Sequence, residues 1–223
     1  MNSKKEIEVV RISSPWNFKS QNYNIKILLY KEKKICIPEI GCKNVDEILI
    51  TISKVISSLN EIDDIHYTEF LFKYKIRMNN QFYYYPLKVF VDDEHSIIRG
   101  YYLGFNKEFS YFSFDENNIG IQNKHLNLNL EFKVLNEQII LEESYPFILS
   151  RNRSFSCDNA VDDIVTLDVY NYNSTKALKI EFSKKSIEDL LLMLNISLSD
   201  ISQLSSYYFN DEFILKGVKK YDI

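Results

Sequence analysis

The sequence predicts an α+β fold, a large and mainly antiparallel β-sheet system with two or three helices packed on it. Three observations predict it. Apolar and polar residues alternate with a period of two over much of Ile65 to Glu143. Short polar turns separate the alternating runs. Two other stretches carry apolar residues at helical spacing.

The first strand is expected at Glu6 to Ile12, followed by a loop with Pro15 and the only tryptophan, Trp16. Asn24 to Tyr30 and Lys34 to Ile37 flank the charged turn Lys31-Glu32-Lys33 as hairpin strands would. Val45, Ile48, Leu49, Ile52, Val55, Ile56 and Leu59 then recur at spacings of three and four, the signature of one helical face. Asn44 with Glu47 resembles a helix-capping pair. In Ile65 to Arg77 one parity is mostly apolar (Phe70, Phe72, Ile76), and the other carries Tyr67, Glu69, Lys73, Lys75 and Arg77. That is a half-buried strand. Asn79-Asn80 makes a turn, and Pro86 marks an edge or bulge in Phe82 to Val91. Further strands are expected at Ile97 to Phe105, Phe109 to Asp115, Leu126 to Leu135 and Gln138 to Glu142. Ile164 to Tyr172 and Ala177 to Phe182 suggest another hairpin. A helix follows with Ile187, Leu190, Leu191 and Leu194 on one face and Ser186 with Asp189 as its capping pattern. Ser197 with Asp200 opens a shorter helical turn, and Tyr207 to Leu215 fits either a strand or a continuing helix. Two hairpin-helix units, 24–59 and 164–194, raise the idea of a duplication.

The length of 223 residues fits a single domain. The alternative is two parts, 1–143 and 164–223, joined by the irregular segment 144–163. Hydrophobic residues at 45% and charged residues at 26% are those of a globular chain. The net charge of −4 argues against a nucleic-acid partner, which needs a basic face. Lysine outnumbers arginine, 22 to 5, with 2 alanines and 5 glycines. This is the usage of an A/T-biased gene, so individual Lys, Asn and Tyr residues are not binding residues by default. The first twenty residues lack a secretory-signal pattern, and no apolar run is long enough for a membrane helix. The expected location is cytoplasmic, with Cys36, Cys42 and Cys157 as reduced thiols.

No motif announces chemistry. Gly41, Gly100, Gly104, Gly120 and Gly217 build no phosphate-binding loop. The three histidines are dispersed, Cys36 and Cys42 lack zinc-knuckle spacing, and there is no nucleophile elbow. No cofactor is expected. Candidate site residues come from two clusters. Asp92, Asp93 and His95 combine carboxylates with an imidazole, a set suited to acid–base work or a cation, although a solvated hairpin turn between two strands explains them without any function and is the preferred account. Arg151, Arg153 and Asp158 place two of five guanidinium groups in the least regular segment, where they suit carboxylate or phosphate pairing or internal salt bridges. The resulting expectation is a protein-binding module that covers a partner, possibly a basic one, in the manner of an inhibitor or toxin-neutralising immunity protein. The alternative is a hydrolase-like enzyme with a site assembled from scattered Asp, His and Arg residues.

Overall fold

The computed structural model describes residues 15–37, 40–59, 63–141, 145–151 and 163–221. Strands β1 (Trp16–Ile37), β2 (Gly41–Leu59), β3 (Asp63–Met78) and β4 (Gln81–Val91) form an antiparallel meander. Helix α1 (Glu94–Leu103) then crosses to β5 (Lys107–Phe109), which pairs with β4 in parallel. Strands β6 (Tyr111–Asp115), β7 (Asn118–Gln122) and β8 (Asn127–Ile139) make a second meander. After them come β9 (Ile148–Arg151), β10 (Asp163–Ser174), β11 (Ala177–Phe182), helix α2 (Lys184–Met193), a 3₁₀ turn (Leu198–Asp200) and β12 (Ile201–Lys220). The strand order is β5-β4-β3-β2-β1-β12-β11-β8-β7-β6, with β10 on β12 and β9 on β10. The last strand thus lies against the first, from Trp16 opposite Leu215 to Leu29 opposite Ile201. The result is an α+β protein dominated by one large mixed sheet with two helices.

Both faces of the central strands are covered, and this decides what the residues look like. Ile25 and Ile27 of β1, Ile48, Ile50 and Ile52 of β2, and Phe70, Phe72 and Ile76 of β3 point to one side. There they meet Ile119 and Ile121 of β7, Leu128, Leu130 and Phe132 of β8, and Leu190 and Leu191 of α2. Residues of the opposite parity, such as Ser20, Asn22 and Asn24 of β1, Thr51 and Ser53 of β2, and Glu69, Leu71 and Lys73 of β3, line a cavity. A smaller cluster around Trp16, Leu71, Val91, Leu103, Phe105 and Leu149 fixes α1 to one end of the sheet.

Several expectations change. The stretch predicted as the first helix is β2. A strand buried on both faces reads as a nearly continuous apolar run, which contains helical spacings by coincidence. Its abundance of β-branched residues favours the strand. With that helix gone, the duplication of hairpin-helix units loses its basis. The run Ile97 to Phe105, expected as a strand, is mostly α1: Asp93 caps it by accepting from Ser96 N, and Gly104 ends it at φ 105°. That left-handed conformation costs glycine little. No hairpin turn forms at Lys31–Lys33; β1 runs through with an irregularity after Leu28. The two strands β10 and β11 do not pair as a hairpin; both pair with β12 instead. Helix α2 is capped by Ser183 rather than Ser186. Tyr207 to Leu215 belongs to a strand. Cys36 and Cys42 stand opposite each other on the β1–β2 ladder and form a disulfide, not free thiols. The Asn79-Asn80 turn is present, with φ of 45° and 64°, and the β3–β4 register slips at Pro86 as a bulge. The expected strand at Glu6 to Ile12 and Cys157 lie outside the described residues. Among the described residues no helix is long and apolar enough to cross a membrane.

Ile50 is fully buried in the central strand β2. Truncation to Ala removes its packing against both neighbouring strands, and Ile50→Ala is expected to lower stability by about 2–5 kcal/mol in urea unfolding.

Candidate functional site: two buried lysines and one carboxylate

The cavity on the second face of the sheet has a volume of about 720 Å³. Aromatic rings form much of its wall, among them Phe105, Phe147, Tyr84 and Tyr207. Four lysines line it, Lys26, Lys73, Lys107 and Lys219, of which Lys73 and Lys107 are buried. Lys107 is the first residue of β5, and the parallel pairing with β4 sets it opposite Val89. Its stem lies over Gly100 of α1 so closely that a Cβ there would stand 2.5 Å from Lys107 Cδ. Only glycine leaves this passage open.

The Lys107 ammonium donates to Glu69 Oε2 at 2.6 Å and to Ser96 Oγ at 3.0 Å. The rings of Tyr67 and Phe105 lie 5.4 and 5.6 Å from it. Ser96 is held by the capping bond to Asp93, so the start of α1 places one of the two partners of the amine. Burial pushes the Tyr67 phenol up, with the nearby Glu69 charge adding to the effect, and keeps it protonated.

Lys73, on β3, is 7% exposed. Its Nζ faces the rings of Tyr84 and Phe147 at 5.4 and 5.5 Å. Loss of hydration lowers its pKa to about 8, against the opposing pull of Glu69 and Asp211. A buried ammonium walled by rings is poorly compensated, so its proton is held weakly. Asp211 itself is raised by burial and accepts from Ser20 and from Asn22 Nδ2. Behind the wall residue Tyr84, Glu47, 2% exposed, accepts from Tyr84 Oη at 2.8 Å and pairs with Lys75 at 3.1 Å and Lys26 at 3.4 Å.

The residues singled out from sequence lie elsewhere. Asp92 accepts from Thr68 N at 2.6 Å and borders a second, shallower depression beside Lys54 and His66. Asp93 is the α1 cap, and His95 is exposed on that helix. The run Asp92 to His95 is thus the entrance to a helix, not a turn between strands. Arg151 ends β9, where its backbone pairs with Asp163. Arg153 and Asp158 lie outside the described residues. Glu69 and Lys73 belong to the polar parity of β3, which periodicity does not distinguish from a solvated face, and Lys107 lies on the short strand β5, where no sequence pattern marks it. Among the described residues no group of three His, Cys, Asp or Glu side chains converges to hold a metal ion.

No family model and no curated protein matches the chain. Solved structures do. An acetoacetate decarboxylase-like enzyme from Sphingomonas wittichii RW1 has a TM-score of 0.67 at 13% identity, over 94% of this chain and 94% of that one. Acetoacetate decarboxylase from Legionella pneumophila gives 0.67 at 12%, over 94% and 88%. The enduracididine biosynthesis enzyme MppR, complexed with pyruvate, gives 0.61 at 11%, over 93% and 90%. At these identities the likeness is one of fold. It overturns the expectation of an inhibitor or immunity-type binding module without chemistry of its own: the proteins that share the whole architecture carry the names of enzymes.

Burial of Lys73 has a consequence for stability. Its pKa falls from 10.5 in the unfolded chain to about 8 in the fold, so the unfolded state binds more protons between these values. The destabilisation is complete below pH 8 and fades as pH rises to 10.5. The stability advantage of Lys73→Met over the wild type is therefore expected to shrink by about 3 kcal/mol between pH 7 and pH 10.5, measured by urea unfolding of both proteins across that range.

Proposed function

We propose that this chain is a lysine-dependent enzyme that forms an imine with a small oxo acid. The observation that carries the reading is the Lys107 amine held 2.6 Å from Glu69 inside the cavity. A nucleophile, a base within hydrogen-bond reach and a third group fixing the geometry make the recurring arrangement of covalent catalysis. Here Lys107, Glu69 and Ser96 fill those places. The names of the fold neighbours, which include a decarboxylase of an oxo acid and an enzyme complexed with pyruvate, support the substrate class.

The chemistry follows from the three charges. Glu69 takes a proton from the Lys107 ammonium, and the neutral amine attacks the substrate carbonyl carbon. The carbon–nitrogen bond forms as the carbonyl π electrons move to oxygen, which takes a proton from the newly bonded nitrogen. Glu69 returns its proton as the hydroxyl leaves as water. The resulting iminium is an electron sink for the neighbouring carbon. It accepts the electron pair of a C–C bond when a carboxylate leaves as carbon dioxide, or of a C–H bond when a proton is removed for condensation. Lys73 supplies the second positive charge, which pairs with the substrate carboxylate. The ring walls exclude water and strengthen both interactions.

A second reading exchanges the lysines. The lowered pKa of Lys73, about 8, favours it as the amine, since a larger fraction is neutral at pH 7. Reduction with cyanoborohydride in the presence of pyruvate, followed by peptide mass spectrometry, separates the two. An adduct on Lys107, absent in Lys107→Ala and formed about 100-fold more slowly in Glu69→Gln, is the expected result. An adduct on Lys73 selects the second reading. Absence of any lysine adduct with oxo acids overturns both.

A further inference from the structure

Asn24 lies in the middle of β1 on the cavity face and is 2% exposed. Its Oδ1 accepts from Thr51 Oγ1 at 2.6 Å, directly across the β1–β2 ladder. Its Nδ2 carries two N–H groups, and among the described residues no atom accepts either of them. The next inward residue of the strand is built the same way with a different outcome. Asn22 Oδ1 accepts from Ser53 Oγ at 2.6 Å, and its Nδ2 donates to Ser20 Oγ and to Asp211 Oδ1, both at 3.0 Å. Two adjacent cross-strand pairs therefore differ in one respect: the Asn22 amide is consumed by the protein and the Asn24 amide is left over.

A buried donor without an acceptor opposes folding, and an apolar residue of the same size would serve the fold better. Its retention is explained when a ligand supplies the acceptor. The position fits a second contact on one molecule. Asn24 stands opposite Thr51, and Thr51 opposite Leu71, so Asn24 is two strands from the segment of β3 between Glu69 and Lys73. At about 4.8 Å per strand that is roughly 10 Å. The cavity of about 720 Å³ is of the size that takes ligands well beyond three carbons.

We infer that Asn24 is a specificity contact for the far end of the substrate, and that the substrate is an oxo acid carrying a second hydrogen-bond acceptor, a carbonyl or hydroxyl oxygen, several bonds from its reacting carbonyl. The inference rests on the imine reading for the near end of the molecule and on Asn24 alone for the far end. A site that spends a buried donor on an acceptor discriminates strongly against an analogue with a methylene in its place.

The test compares 2,6-dioxoheptanoate with 2-oxoheptanoate, which differ by one carbonyl. Affinity is measured by calorimetry, and imine formation by cyanoborohydride trapping on the wild type. The wild type is expected to bind the dioxo acid about tenfold more tightly. Asn24→Ala, or Asn24→Ser where the alanine variant does not fold, is expected to bring the two affinities together. Equal affinities in the wild type overturn the inference without recourse to any variant, and so does a preference that survives in the variant. The two levels fail separately. Trapping of both acids on a lysine with no difference in affinity removes the Asn24 contact and leaves the imine reading. A tenfold preference without any trapped adduct removes the imine reading and leaves Asn24 as a binding contact.

Discussion

The constraint on which the structure depends is that the central strands are covered on both faces by different things. One face of β1, β2 and β3 meets hydrocarbon from β7, β8 and α2. The other encloses a cavity. A strand in this position cannot follow the usual rule of one dry and one wet side. Its second set of side chains is polar and yet held with little water. The hydroxyl and amide ladder of Asn22 with Ser53 and Asn24 with Thr51 satisfies most of its groups internally.

The same enclosure sets the electrostatics. Two buried amines, Lys73 and Lys107, look toward Glu69, and Asp211 acts on Lys73 as well. Glu69 can compensate only one of them well, and geometry gives it to Lys107. Lys73 is left to ring faces, which stabilise an ammonium less than a carboxylate does. The outcome is a paired amine with a proton acceptor in contact, beside a cation that holds its charge weakly. Neither lysine performs this way alone. The parallel crossover β4–α1–β5 brings Lys107 into the chamber, and the missing side chain of Gly100 lets its stem pass.

The sequence showed the sheet-rich character, the Asn79-Asn80 turn, the Pro86 bulge and helix α2, because each has a local cause. It hid β2 and α1 for opposite reasons. In β2, burial on two faces erased the alternation that marks a strand. In α1, the aromatic and β-branched run Ile97 to Leu103 resembles a strand, and the helix depends on the Asp93 cap and the Gly104 stop at its ends. The site was harder still. The polar parity of β3 was visible, but periodicity does not distinguish a cavity from solvent. Lys107 had no distinguishing mark in a chain with 22 lysines, and its partner Glu69 lies 38 residues away. The cluster Asp92 to His95, which did stand out, owes its place to the capping of α1. Asn24 was invisible for the same reason as Lys107: its meaning lies in a hydrogen bond that is not made.

The central claim is that Lys107, held against Glu69, is the amine that bonds to the substrate. It is tested most directly by a crystal structure of the protein reduced with cyanoborohydride in the presence of pyruvate. The account predicts continuous electron density from Lys107 Nζ into a three-carbon acid, with the carboxylate of that acid turned toward Lys73. Unmodified Lys107 still paired with Glu69, in crystals whose cavity has taken up the acid without a bond to any lysine, would contradict it.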